Sequence, residues 1–274
     1  MGIENSAELS PSGFVSYHKG DVGIIIAVPH GGIKDSDKIP HRTFGITEGD
    51  DHTKELAEFV ADSIRSNLGR SPHMIISELK RSKLDPNREI VEAAQGDTLA
   101  EDVWREYHGF IEKAIEEEGF GVVIDLHGQS HGHNCTELGY LLTSVQLNNG
   151  DYDPTKSSMK NLASMTGKSG KEIIIGDKSL GAIIENEGFR AFPSPRQPSP
   201  RDLAYFPGGY TVARYGSKEK GTFDSILVET SKKERAEGGQ ETRKQFAAAL
   251  GSAIAKFYHA NYAMQQSPGD GDGF

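Results

Sequence analysis

The chain has 274 residues, 35% of them hydrophobic and 26% charged, and a formal net charge of −10. This composition excludes a disordered chain and suits one large α/β domain with a substantial core. The acidic balance and the lack of any basic run exclude a non-specific nucleic-acid binder. The single cysteine, Cys135, excludes an intramolecular disulfide and a cysteine-only metal site.

Residues 1–20 read as a polar N-terminal extension without the apolar stretch of a secretion signal, so a cytoplasmic location is expected. Its start, Met1-Gly-Ile-Glu-Asn-Ser6, fits the loose N-myristoylation pattern at Gly2. Gly23–Val28 is a continuous β-branched run and predicts a strand covered on both faces, ending at Pro29-His30-Gly31-Gly32. Residues 50–67 predict a helix, with Leu56, Phe59, Val60 and Ile64 at helical spacing and acidic residues crowding its start. A short strand at 74–77 and a helix at 98–118, closed by Gly119, follow.

Gly121–Leu126 is a third apolar strand and runs directly into His127-Gly128. Further strands are expected at 139–143, 171–175 and 225–228, and a last helix at 240–262. The Pro- and Arg-rich stretch from Ala191 to Gly209 reads as a functional loop or lid, and residues 265–274 as a flexible tail. No apolar run is long enough to span a bilayer. Strands alternating with helices imply an α/β fold: a single domain over 21–264 with a mostly parallel or mixed central sheet flanked by helices. Ligands of such sheets gather beyond the carboxyl ends of the strands. His30, His127 and Glu229 all fall there, each just after an apolar run.

Hydrolysis of an amide near neutral pH requires an activated water and a stabilised oxyanion. A divalent metal held by His and carboxylate ligands supplies both. His30 and His127 occupy equivalent contexts, and Asp125, two residues before His127 on the same strand face, can orient it. Asp50, Asp51 and His52 open a helix, where they are either favourable capping and dipole residues or the source of a carboxylate ligand. Arg81, Asp85, Asn87 and Arg88 form a cluster that is either a solvated loop or a carboxylate-binding site, since Arg offers a planar bidentate fork. Glu229 is costly directly after a buried strand unless it is ion-paired or functional. His131 and His133 read as loop residues close to the site.

The ordered set Pro29-His30-Gly-Gly32, the Asp50 helix start, Arg81-x-x-x-Asp85-x-Asn87-Arg88, Asp125-Leu-His127-Gly128, Gly208-Gly209 and Val228-Glu229 resembles N-formylglutamate amidohydrolases and, more widely, the zinc carboxypeptidase and aspartoacylase group. The resemblance runs from about Val22 to Glu229. It implies a zinc carboxypeptidase-like (phosphorylase/hydrolase-like) fold and one Zn2+ held by His30, His127 and an acid at a helix start. Asp50 and Asp51 both qualify, and Asp50 is chosen. It also implies Glu229 as general base and Asn87 and Arg88 as ligands of a substrate carboxylate; Arg81, Arg201 and Arg214 are candidate helpers. The sequence departs from the family at Gly31, where serine is frequent, and at Pro86, where Leu or Val is frequent. The expected partner is a small carboxylate-bearing N-acyl amino acid such as N-formylglutamate. Competing readings are a peptidase-like hydrolase of an acidic peptide or γ-glutamyl polymer, and a catalytically silent carboxylate-binding protein.

Overall fold

The computed structural model of the chain describes residues 7–263. The Gly2 pattern and the tail 265–274 lie outside the described residues. The strands are β1 (Glu8–Leu9), β2 (Val15–His18), β3 (Val22–Val28), β4 (Pro72–Ser77), β5 (Gly121–Gln129), β6 (Thr136–Gly139), β7 (Ala191–Phe192) and β8 (Phe223–Ser231). They form one sheet in the order β1-β2-β4-β3-β5-β8-β6-β7. The four inner strands β4, β3, β5 and β8 run parallel. β2 and β6 pair antiparallel to β4 and β8, so the sheet is mixed, and each outer edge is a strand of two residues.

The helices are α1 (Thr53–Leu68), α2 (Ile90–Ala94), α3 (Thr98–Glu118), α4 (Ser144–Asn148), α5 (Lys160–Thr166), α6 (Gly170–Ile175), α7 (Leu180–Asn186), α8 (Tyr210–Tyr215) and α9 (Gly239–Asn261). Alternation along β3 divides the core between the two sheet faces. Ile24, Ile26 and Val28 pack with Leu56, Val60 and Ile64 of α1 and Phe246, Leu250 and Ile254 of α9. Ile25 and Ala27 pack with Val103, Tyr107 and Ile111 of α3. The architecture is a single α/β domain with helices on both faces. No helix among the described residues is long and apolar enough to cross a membrane.

From β3 the chain crosses through α1 to β4 on one side, then through α3 to β5 on the other. The connection therefore reverses direction between β3 and β5. In open α/β sheets such a switch point leaves a crevice at the carboxyl ends of the strands. His30 follows β3 and His127 lies near the end of β5, so both flank this crevice.

Three expectations differ from the structure. Residues 171–175 lie in α6 rather than a strand. The apolar Ile173–Ile175 run is read as strand by composition, but Ser169 and Glu172 close a reciprocal capping box that starts a helix. The strand expected at 139–143 lies earlier, at Thr136–Gly139, and Leu141 takes φ 63°, which no strand accommodates. Part of the stretch read as an N-terminal extension enters the sheet, as Val15–His18 pairs with β4 along its whole length.

Candidate functional site

Three side chains converge at the crevice. The Oδ2 atom of Asp50 lies 3.4 Å from His30 Nδ1 and 3.2 Å from His127 Nδ1. One ligand atom from each residue falls within 4.8 Å of the others, and all three residues are buried. The backbone N–H of Gly128 also donates to Asp50 Oδ2 at 3.1 Å. Asp51, next in sequence, turns outward and is exposed.

The far side of each imidazole is held by a carboxylate. His30 Nε2 lies 2.7 Å from Asp85 Oδ1, which places its proton on Nε2 and leaves the Nδ1 lone pair facing Asp50. Nδ1 has no hydrogen-bond partner although it is buried. An orphaned buried nitrogen costs about 1–3 kcal/mol unless something else binds it. His127 Nε2 lies 3.1 Å from Asp125 Oδ1 and 3.2 Å from Asn87 Nδ2. The carboxylate decides the tautomer, because both oxygens of buried Asp125 lack any other partner and an unpaired buried charge is the costlier defect. Nε2–H therefore points to Asp125, and His127 Nδ1 also presents a lone pair toward Asp50. Two imidazoles turned inward by carboxylates, with a carboxylate between them, form a donor set that suits a divalent ion of the zinc type once both Nδ1 atoms are free of protons.

The electrostatics agree. Burial alone would raise the Asp50 carboxyl, yet the adjacent His30 and His127 hold it well below the usual carboxylate range. Burial would also raise Asp85, but His30, Arg81 and Arg88 keep it ionised. For His127 burial favours the neutral ring, and Asp125, Asp50 and Glu229 overcome it and push the imidazole well above its ordinary value. This field draws positive charge to the centre, whether a proton or a metal ion.

Glu229 stands beside His127 in the parallel register of β5 and β8. Its carboxylate accepts no hydrogen bond among the described residues. Burial pushes it up to about 8; His127 opposes the shift, and Asp50, Glu137 and Asp125 add to it. Asp50 and Glu229 are thus two neighbouring carboxyls driven in opposite directions, the arrangement that separates a permanent anion from a proton carrier.

A cavity of about 380 Å³ opens over this centre, lined in part by His30, Asp50, Arg81, Asn87, Arg88, His127, His131, Phe206 and Glu229. A neighbouring cavity of about 430 Å³ touches His30 and Asp50 but runs along Lys54 and Glu58, and reaches neither His127 nor Glu229. The chemistry is therefore assigned to the first. Arg81 is buried and committed: its Nε donates to Asp85 Oδ2 at 2.9 Å, and its Nη1 lies 3.8 Å from Asp50 Oδ1. Arg88 is partly exposed at the cavity, with Nε on Glu92 and Nη1 on the Asn87 carbonyl. Asn87 Oδ1 accepts from the N–H of Thr211 at 2.9 Å, which fixes its amide. Gly209 packs so closely that an added Cβ would lie 2.5 Å from Asn87 Nδ2.

Arg214 is not among the residues that line the cavity. It pairs with Glu112 at 2.8 Å and sits over the rings of Trp104 and Tyr210. Arg201 is an exposed loop residue at φ 56°, beside a separate cavity. Two arginines not anticipated from sequence support the centre. Arg42 lies 3.8 Å from Asp85 and donates to the Ile46 carbonyl. Arg235 lies across Gly128, where an added Cβ would meet its guanidinium, and it donates to the Asp51 carbonyl. Neither sits in a motif; only their burial as cations marks them.

No family model matches the chain, and no curated protein matches it. Among solved structures, the N-formylglutamate amidohydrolase from Ralstonia eutropha JMP134 aligns over 90% of this chain and 98% of its own, with TM-score 0.51 and 13% identity. A metallo-carboxypeptidase from Burkholderia cenocepacia aligns over 92% of this chain and 61% of its own, at TM-score 0.39 and 11% identity. The CwlD amidase from Clostridioides difficile aligns over 88% and 100%, at TM-score 0.38 and 13% identity. The chain shares the fold of the Ralstonia N-formylglutamate amidohydrolase.

Proposed function

We propose that the protein is a metal-dependent amidohydrolase that cleaves the amide of a small N-acyl amino acid bearing a carboxylate. The observation that carries this reading is the convergence of His30 Nδ1, Asp50 Oδ2 and His127 Nδ1 beside a buried carboxyl, Glu229, with no partner of its own. His30, Asp50 and His127 would hold one divalent ion, with zinc favoured by two nitrogens and one oxygen. Such an ion supplies a Lewis acid that acidifies water and polarises a carbonyl.

The chain's own groups account for the rest. Glu229 takes a proton from water as the water oxygen adds to the acyl carbon. When the C–N bond breaks, Glu229 returns that proton to the leaving nitrogen, so a carboxylic acid and an amine are released and the enzyme is regenerated. Burial raises the proton affinity of Glu229 above that of an ordinary carboxylate, which suits a group that takes a proton and then returns it. Arg88 and Asn87 line the cavity and would bind the substrate carboxylate. A cavity of about 380 Å³ suits a small molecule.

The test is a screen of N-acyl amino acids, N-formyl-L-glutamate first, against zinc-loaded and chelator-treated protein, with release of the free amine as the signal. Hydrolysis that disappears with the metal and returns on its addition is expected. A zinc-replete protein that hydrolyses none of them would sink the reading.

A further inference from the structure

We propose that His131, His133 and Glu137 form a second divalent-cation site at the edge of the same cavity, taking a borderline ion such as zinc. This does not depend on the hydrolase reading. His131 Nδ1 lies 2.6 Å and His133 Nε2 3.1 Å from the same atom, Glu137 Oε1. One ligand atom from each of the three falls within 4.8 Å of the others. Glu137 is fully buried, and its second oxygen is already used by the N–H of Phe206 at 2.9 Å. No lysine or arginine pairs with it among the described residues. Arg190, next to β7, donates to the carbonyl of His133 instead.

The decisive residue is His133. Its side chain is 8% exposed, and neither ring nitrogen has a hydrogen-bond partner. A histidine held only for packing would hydrogen-bond at least one nitrogen, as His108 does with Tyr215 and the Pro86 carbonyl. Here the ring is fixed by carbon contacts: Phe192 meets it edge-on at 5.2 Å, and Phe206 stacks on His131 at 4.9 Å. His131 Nδ1 thus hydrogen-bonds Glu137 Oε1, while His133 aims Nε2 at the same buried oxygen without a hydrogen bond of its own. A cation placed among them satisfies all three at once, with the two-nitrogen, one-oxygen set that zinc accepts. Glu137 faces Glu229 across the β6–β8 pair, and His131 lines the main cavity, so this site adjoins the first.

The test strips the full-length protein with a chelator, reloads it at micromolar free zinc, and counts bound ions after dialysis. Cobalt substitution reports the ligand set by absorption. Wild type should hold two ions per chain, His133→Gln one and His127→Ala one, with different cobalt spectra for the two single-site proteins. His131 is a quarter exposed on its side chain, so His131→Gln tests the site without opening the core, and it too should hold one. Melting curves confirm that each variant is folded. A wild type with one ion, kept in both His131→Gln and His133→Gln and lost in His127→Ala, overturns this site and leaves the hydrolase reading intact. One ion lost in His133→Gln and kept in His127→Ala supports this site and removes the metal from the other.

Discussion

The strand β8 carries a buried carboxyl near each end, and the two are treated differently. Asp224, near its start, accepts from Ser217 Oγ at 2.5 Å, Tyr262 Oη at 2.8 Å and the N–H of Leu162 at 3.0 Å. Burial still pushes it up to about 6, with those donors opposing. Glu229, near the other end, has none of these partners and is pushed up to about 8. The same strand thus holds one carboxyl that joins three elements and one left unsatisfied above a cavity. Burial raises both, but only the group without donors keeps its lone pairs available to a substrate. Polar satisfaction, rather than burial, separates a structural acid from a candidate catalytic one.

The largest expected effect breaks this comparison at the cavity end. Glu229→Gln should cost about 100-fold or more in turnover, the scale of a lost general base, while metal content is retained. A group raised in the fold loses its contribution to stability as pH rises from its ordinary value through its folded one, so the neutral glutamine should melt no lower than wild type at pH 9. Near-normal turnover in a metal-replete variant would return Glu229 to the same class as Asp224. The matching change at the other end, Asp224→Asn, should leave turnover within about 2-fold once folded protein is corrected for, since that end lies outside the cavity.

A second prediction concerns the carboxylate behind His30. Asp85→Asn removes the acceptor that holds the Nε2 proton and should weaken zinc affinity by about 10- to 100-fold, measured by competition with a chromophoric chelator. Unaltered affinity would mean that Nδ1 is oriented without Asp85. Third, Arg88→Lys keeps the charge and loses the planar fork, so KM for the carboxylate-bearing substrate should rise about 10-fold with kcat little changed. A substrate lacking that carboxylate should not register the change. The smallest effect is a pH dependence at Asp224. Its folded value lies above the ordinary one, so its contribution to stability is complete below about pH 4 and is lost as pH rises through about 6. Asp224→Asn stays neutral throughout, with its amide able to donate to Ser217. Its melting temperature relative to wild type should therefore climb by a few degrees between pH 4.5 and pH 7.5. A difference that stays flat would show that the three donors already offset the burial.

Much of the scaffold was legible because buried parallel strands are continuous apolar runs, as at Gly23–Val28 and Gly121–Leu126, and because chemistry gathers where such runs stop. That logic located His30, His127 and Glu229 at one sheet edge. It could not separate Asp50 from Asp51, since neighbours at a helix start differ only in which way the backbone turns them; here His52 takes φ 62° and the helix begins at Thr53. The partner of Asp85 was not legible either, because the contact between residues 30 and 85 is made by a tertiary fold and by no local spacing. Arg88 lies at the cavity as its motif suggested, whereas Arg214 is engaged on α3 with Glu112 and Trp104, contacts that depend on where α8 packs. His131 and His133 read as loop residues from sequence, and Glu137 goes unnoticed because its strand is expected to begin at residue 139, three residues later than it does.

The two-residue strands that bound the sheet have a consequence for how copies of this chain meet. An exposed edge strand invites a neighbour to extend the ladder, and the strength of that invitation grows with the number of free amides in a row. Here Glu8–Leu9 and Ala191–Phe192 offer only one or two such groups before the backbone leaves the plane. Among the described residues, fibre-like growth by strand addition is therefore starved of template at both margins, even though the inner strands are rich in isoleucine and valine. Among the described residues, side-chain surfaces on the helices and loops therefore offer more to a second copy than the sheet margins do.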